Sequence, residues 1–247
     1  MQKRDWWDRE FRIFMALGES TTAGGWSSCR EKCWVSQLGR LISEYQRIPV
    51  QTINLGIGAN VISRKSRGYE FSGKPSAEER LDRHVLSYRS SGNRMVPDLL
   101  IISYGLNDAR CGTPVELFCD EMKDIIKRIR EKIDPLIVLL GPYYMTDFKL
   151  GGLEWSYGNM KVFHGYNKAI KKTAIETESL FVDLLSSYNN ADWLIHHDGV
   201  HANDLGHRIV ANKIFEVLAS NCSGLSKETK ALEKYIPPWR DESVLKL

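Results

Sequence analysis

Four short stretches, far apart in the chain, carry residue types that could cooperate in acyl chemistry. Gly18-Glu19-Ser20-Thr21-Thr22-Ala23-Gly24 offers a hydroxyl flanked by glycines. Asn54-Leu55-Gly56-Ile57-Gly58-Ala59-Asn60 offers backbone amides on a glycine-rich turn, and Gly105-Leu106-Asn107-Asp108 a carboxamide. His196-His197-Asp198-Gly199-Val200-His201 sets a carboxylate three residues before an imidazole. A serine hydroxyl is a weak nucleophile until a base in hydrogen-bond contact takes its proton. His201 can be that base if its other ring nitrogen is held as a donor, and Asp198 is placed to accept from it. A tetrahedral oxyanion needs preorganised donors, each worth ~3 kcal/mol. The Ser20 amide, an amide of the Gly58-Ala59 turn and the side-chain NH₂ of Asn107 would supply three. This chemistry calls for neither metal nor organic cofactor.

Such residues must be carried to one place by the fold. Candidate strands are Arg12–Leu17, Pro49–Leu55, Asp98–Tyr104, Leu136–Gly141 and Leu180–Leu184. Phe11–Leu17, Leu99–Ile102 and Leu136–Leu140 are almost wholly apolar on successive residues, the pattern of strands buried on both faces of a parallel sheet. Between the strands run helical patterns: Cys33–Tyr45, Val115–Ile133, Phe163–Glu178 and Asp204–Ala219, with a further helix over Ala77–Ser90. Alternating β and α units with right-handed crossovers predict a three-layer, doubly wound α/β fold with a mostly parallel five-stranded sheet of flavodoxin-like type. In such a sheet, sites form beyond the carboxyl ends of the strands, where each of the four stretches falls. Gly56–Ser76 reads as a polar loop and Tyr143–Met160 as an aromatic-rich one, both expected to shape a substrate site. Residues 1–220 read as one domain; 221–247, with Pro237-Pro238, read as a tail packing on the surface or on a partner subunit.

Composition sets the outer limits. The chain has 247 residues, 43% hydrophobic and 26% charged, enough to bury a sizeable core and to exclude a wholly disordered chain. A net charge of +3 with interspersed signs gives no reason to expect nucleic acid as a partner. No apolar run approaches the ~20 residues of a membrane helix, so integral membrane association is not expected. The N-terminus shows no apolar stretch of the secretory type, and a cytoplasmic location is expected. Five sparse cysteines, an odd number, read as buried free thiols rather than a disulfide framework.

Taken together and in this order, the four stretches resemble the blocks of the SGNH (GDSL-like) hydrolase family of serine esterases and acylhydrolases, over Phe11 to about Ala219. The resemblance implies Ser20 as nucleophile, His201 as base and Asp198 as its orienting carboxylate. The amides of Ser20 and Ala59 and the side chain of Asn107 would form the oxyanion hole. It departs in three places: the family usually has aspartate where Glu19 stands, glycine at Ala59, and aspartate at Asn60. Alanine at 59 can serve if the local backbone suits an L-residue, with Gly58 as the neighbouring candidate. Asn60, Tyr143 and Tyr144 are further candidates for substrate contact, the substrate being a small ester of an acyl lipid or an acylated carbohydrate, or a thioester. Oligomeric state is left open.

Each motif also has a plainer reading. Ser20 can cap a helix, Asn107-Asp108 can form a turn, and His196, His197, Asp198, His201 and His207 resemble a metal-ligand cluster; none of these accounts for all four stretches at once. The α/β-hydrolase elbow requires G-x-S-x-G, which Gly18–Thr22 lacks. A nucleotide-binding loop requires G-x-G-x-x-G or a P-loop lysine, also missing. A non-catalytic binding module on the same scaffold is the alternative from a different functional class.

Overall fold

The computed structural model describes residues 3–236 and 243. Its centre is a sheet of five strands: β1 (Ile13–Gly18), β2 (Gln51–Gly56), β3 (Leu99–Ser103), β4 (Leu136–Leu140) and β5 (Leu180–Val182). They lie in the order β2-β1-β3-β4-β5, and every pairing is parallel. β3 and β4 are buried along almost their whole length, as expected of strands covered on both faces.

The helices that cover the sheet or lead out of its carboxyl edge include α1 (Ser20–Ala23), α2 (Trp34–Glu44), α3 (Leu106–Arg110), α4 (Val115–Arg130), α5 (Met160–Glu176) and α6 (Asp204–Asn221). In α2 the buried Trp34, Leu38 and Ile42 recur every four residues, and in α4 Phe118, Met122, Ile125, Ile126 and Ile129 form one stripe. α2 packs with α6 on one face of the sheet, and α4 with α5 on the other. The chain therefore winds one way from β1 to β2 and the other way from β3 onward. Strand order reverses between β1 and β3, which pair through Gly18 and Ser103 at their carboxyl ends. A crevice opens at such a reversal, with Ser20 and Asn107 on the segments leaving its two strands.

Three expectations shift. The helix over Ala77–Ser90 is α-helical only for Ala77–Leu81 and ends in a wider turn at Asp82–Leu86. Arg89–Ser90 instead pairs antiparallel with Asn93–Arg94, because Ser91 and Gly92 both take positive φ, the geometry of a tight hairpin turn. The last strand stops at Val182, where Asp183 accepts from the Ser186 amide at 3.0 Å and starts a short helix, Leu184–Tyr188. The cysteines are free, but only Cys33, Cys111 and Cys222 are buried; Cys29 is exposed. From Asn221 onward the described chain runs against the N-terminal arm: the Trp6 amide donates to the Asn221 carbonyl at 2.9 Å and the Gly224 amide to that of Trp7 at 3.0 Å. Pro237-Pro238 lies outside the described residues. Among those described, no helix is long and apolar enough to cross a membrane.

Candidate active site

β1 delivers Ser20 to the carboxyl edge of the sheet as the first residue of α1. The helix is capped from Glu19, whose carbonyl accepts the Thr22 and Ala23 amides at 3.0 Å. The Ser20 hydroxyl does no capping; its Oγ faces His201 Nε2 at 3.0 Å. On the far side of the ring, His201 Nδ1 lies 2.6 Å from Asp198 Oδ2. A carboxylate there keeps the proton on Nδ1, so Nε2 is left as the acceptor for the serine proton.

A tight loop sets this chain of contacts. The His196 amide donates to the His201 carbonyl at 2.7 Å, and the Gly199 amide to that of His196 at 2.9 Å. Asp198 Oδ1 accepts the Val200 and His201 amides at 2.9 and 3.0 Å. From the segment after β4, the Thr146 and Asp147 amides hold the Gly199 carbonyl at 2.8 and 2.9 Å. Burial opposes ionisation of Asp198, yet the two amides and the imidazole outweigh it and hold the carboxyl below its usual range. Burial is also the main influence on His201; it depresses the pKa despite the pull of Asp198, so the ring is neutral near neutral pH.

Asn107 enters from α3. Gly105 precedes the helix at φ +121°, a conformation open to glycine. Glu19 then clamps the helix start: Oε1 accepts the Leu106 amide and Oε2 the Asn107 amide, both at 2.9 Å. Burial and the nearby Asp108 carboxylate push the Glu19 pKa up to about 8, against the pull of these amides. Asp108 faces the other way, its Oδ2 accepting the Ile62 amide at 3.0 Å and its Oδ1 the Ser66 hydroxyl at 2.5 Å. Burial raises it to about 6. Asn107 Nδ2 donates one proton to the Asn60 carbonyl at 3.0 Å, and among the described residues the second has no acceptor. Among the described residues the amides of Ser20 and Ala59 have no acceptor.

Ala59 sits at φ +55°, the left-handed region, whereas Gly58 does not. The turn thus keeps a glycine-type backbone at the residue that lacks glycine. Asn60 is wholly buried and serves the scaffold: Oδ1 accepts from Tyr104 Oη and from Arg80 Nη1 at 3.4 Å, and Nδ2 donates to the Pro75 carbonyl. Its side chain is therefore not open to a substrate, contrary to the expectation from the motif. Tyr143 is likewise buried, stacked on Tyr188, with Oη accepting the Ala202 amide at 3.1 Å; it braces the histidine loop. Tyr144 is half-buried against the core. The histidine-rich segment does not assemble a metal centre: no group of three or more His, Cys, Asp or Glu side chains among the described residues is placed to hold an ion. His207 instead accepts the Trp34 amide at 3.3 Å, and burial lowers its pKa to about 4. Trp26, which no motif marked, lies flat on His201, ring centroids 3.3 Å apart and planes 4° from parallel.

Comparison with known proteins agrees with this architecture. The GDSL-like lipase/acylhydrolase family matches residues 16–209. The structure is similar to a lipase/acylhydrolase from Enterococcus faecalis, with 20% identity over 85% of this chain and 96% of that one, at a TM-score of 0.64. It is also similar to Axe2, an acetylxylan esterase from Geobacillus stearothermophilus, with 17% identity over 85% and 95% of the two chains, at a TM-score of 0.61. A member of the lipolytic G-D-S-L family from Veillonella parvula gives 18% identity over 84% and 98%, at a TM-score of 0.59. At such identities the likeness speaks for the fold. No curated protein matches the chain. The family match, spanning β1 through the first turns of α6, carries the assignment: this chain belongs to the GDSL-like lipase/acylhydrolase family and is a carboxylic ester hydrolase.

Proposed function

We propose that the protein cleaves carboxylic esters or thioesters through an acyl-serine intermediate on Ser20. The reading is supported by one observation: Ser20 Oγ lies 3.0 Å from His201 Nε2, and Asp198 Oδ2 lies 2.6 Å from Nδ1 of the same ring. The amides of Ser20 and Ala59, which have no acceptor among the described residues, and Asn107 Nδ2 are the proposed oxyanion donors. In acylation, Ser20 Oγ attacks the carbonyl carbon as its proton passes to His201 Nε2. The three donors hold the oxyanion. The imidazolium, stabilised by Asp198, then protonates the departing alcohol or thiol, and the carbonyl re-forms as an acyl-Ser20 ester. Water enters with His201 again as base, giving the free acid and the original hydroxyl. Every step is proton and acyl transfer.

A small acyl group on a carbohydrate or a lipid is the proposed substrate class, to be resolved by a panel of acetylated sugars and acyl chain lengths. The mechanism is tested by labelling with a fluorophosphonate. Wild type is expected to label at Ser20 and Ser20→Ala to be inert to both label and p-nitrophenyl acetate. A folded wild-type protein that never labels would favour the non-catalytic binding module instead.

A further inference from the structure

The serine and the imidazole are almost sealed. Ser20 is 5% and His201 6% exposed, while Trp26, flat against the imidazole, is 36% exposed. The indole is therefore a layer between the base and solvent. Its seat is built by the surrounding chain. Residues 24–27 form a tight turn in which both the amide and the hydroxyl of Ser27 donate to the Gly24 carbonyl, at 3.1 and 2.7 Å. The next residue is fastened to the start of α6: the Ser28 amide and hydroxyl donate to the two oxygens of Asp204, each at 2.7 Å. Lys32 Nζ donates to Asp204 Oδ2 at 2.7 Å. These bonds tie the turn carrying Trp26 to the helix that begins three residues after His201, so indole and imidazole keep their register.

This contact bears on which alcohol can leave. The attacking oxygen and the leaving oxygen share one nitrogen, His201 Nε2. Ser20 Oγ lies in front of that nitrogen at 3.0 Å, and the nitrogen donates in the ring plane, so the leaving oxygen must come in beside the serine at the ring edge, with its alcohol extending past the rim of the imidazole. Trp26 lies in van der Waals contact on one face of that ring and is itself partly open to solvent, so the edge of the indole borders the path by which an alcohol leaves Nε2. Building on the esterase reading above, we propose that Trp26 is the specificity-determining wall of the leaving-group site. With the indole seated, the site takes esters of slim primary alcohols; broad aromatic or secondary alcohols collide with it and react only when the Trp26 turn swings out.

The test compares kcat/KM for 1-naphthyl acetate with that for ethyl acetate, as a ratio between proteins so that the esters' intrinsic reactivities cancel. Trp26→Ala is expected to raise the naphthyl-to-ethyl ratio tenfold or more over wild type. Trp26→Phe, which keeps a flat ring on the imidazole, is expected to stay within about threefold. Asp204→Ala, which releases the turn without touching a reacting group, should raise the ratio severalfold and decides the question if Trp26→Ala does not fold. A ratio unchanged in both Trp26→Ala and Asp204→Ala, or an equal loss on the two esters, overturns the wall. Wild type that hydrolyses neither ester and fails to label at Ser20 would instead remove the esterase mechanism itself, and the wall with it.

Discussion

The carbonyl of Asn60 accepts one proton of the Asn107 side-chain amide at 3.0 Å, so the orientation of a candidate oxyanion donor is set by a backbone group on another loop. That carbonyl is itself held because the Asn60 side chain is buried among Tyr104, Arg80 and Pro75. Asn107→Ala is expected to lower kcat by roughly 10²–10³ with little change in KM, as for loss of one preorganised donor. Asn60→Ala should lower kcat too, and also destabilise the fold by about 1–3 kcal/mol, since buried Tyr104 and Arg80 lose a partner. Steady-state kinetics with urea unfolding separate the two; a change confined to KM in Asn107→Ala would make it a substrate-positioning residue.

On the proposed mechanism, the acid limb of the pH–rate profile reports His201. Its pKa is depressed, burial being the main cause, and the proposed base is the neutral ring. Activity should therefore rise with pH through a midpoint below the ordinary histidine value of about 6.5. Asp198→Asn should fold normally and lower kcat by about 10³–10⁴, because a carboxamide no longer fixes the Nδ1 proton. A profile flat from pH 4 to 8 would contradict a histidine base.

Glu19 gives a second, separate pH dependence, in stability. Its folded pKa of about 8 is raised by burial and by Asp108 above the ordinary 4.5. A raised carboxyl stabilises fully below its unfolded value, and that stability is lost as pH rises towards the folded one. In Glu19→Gln this loss is gone, so the stability gap between wild type and variant should shrink as pH rises from 6 to 9. Chemical denaturation at a series of pH values reads this directly; a constant gap would show that the carboxyl does not titrate there.

Ala59 occupies a left-handed backbone at φ +55°, which costs an L-residue roughly 1–2 kcal/mol. Replacement by glycine relieves that strain, partly offset by about 0.4–1 kcal/mol of extra chain entropy in the unfolded state. Ala59→Gly is expected to keep kcat and leave stability equal or up to about 1.6 kcal/mol higher. A valine at the same position should be strongly destabilising. At Gly58, where an added Cβ meets open space and φ is not left-handed, alanine should be tolerated. Thermal melts of the three variants check the set, and a stable Ala59→Val would refute the strained turn.

Much of the scaffold could be read from the chain because burial leaves a local trace. Leu99–Ile102 and Leu136–Leu140 are apolar at every residue and became strands covered on both sides. Trp34, Leu38 and Ile42 recur with the helical repeat and became the buried stripe of α2. Boundaries drifted where capping decided them, as at Asp183, whose carboxylate turned an expected strand end into a helix start. Near the site, the motif residues Ser20, Asp198 and His201 are brought together by the topology. Asn60 and Tyr143, by contrast, are buried in supporting bonds, since spacing does not say which way a polar side chain turns.

What the order of residues determined by itself is the doubly wound sheet, the ends of the strands at which chemistry could sit, and the residue types gathered there. Hydrophobic periodicity and short motifs encode these within a few residues of each other, and a parallel sheet forces all its strand ends to one edge. Tertiary structure alone decided that Glu19 clamps α3, that Ala59 rather than Gly58 bends the turn, and that Trp26 lies on an imidazole 175 positions further along the chain. Each depends on partners distant in the chain and on backbone angles imposed by packing, and neither leaves a periodic mark in the sequence.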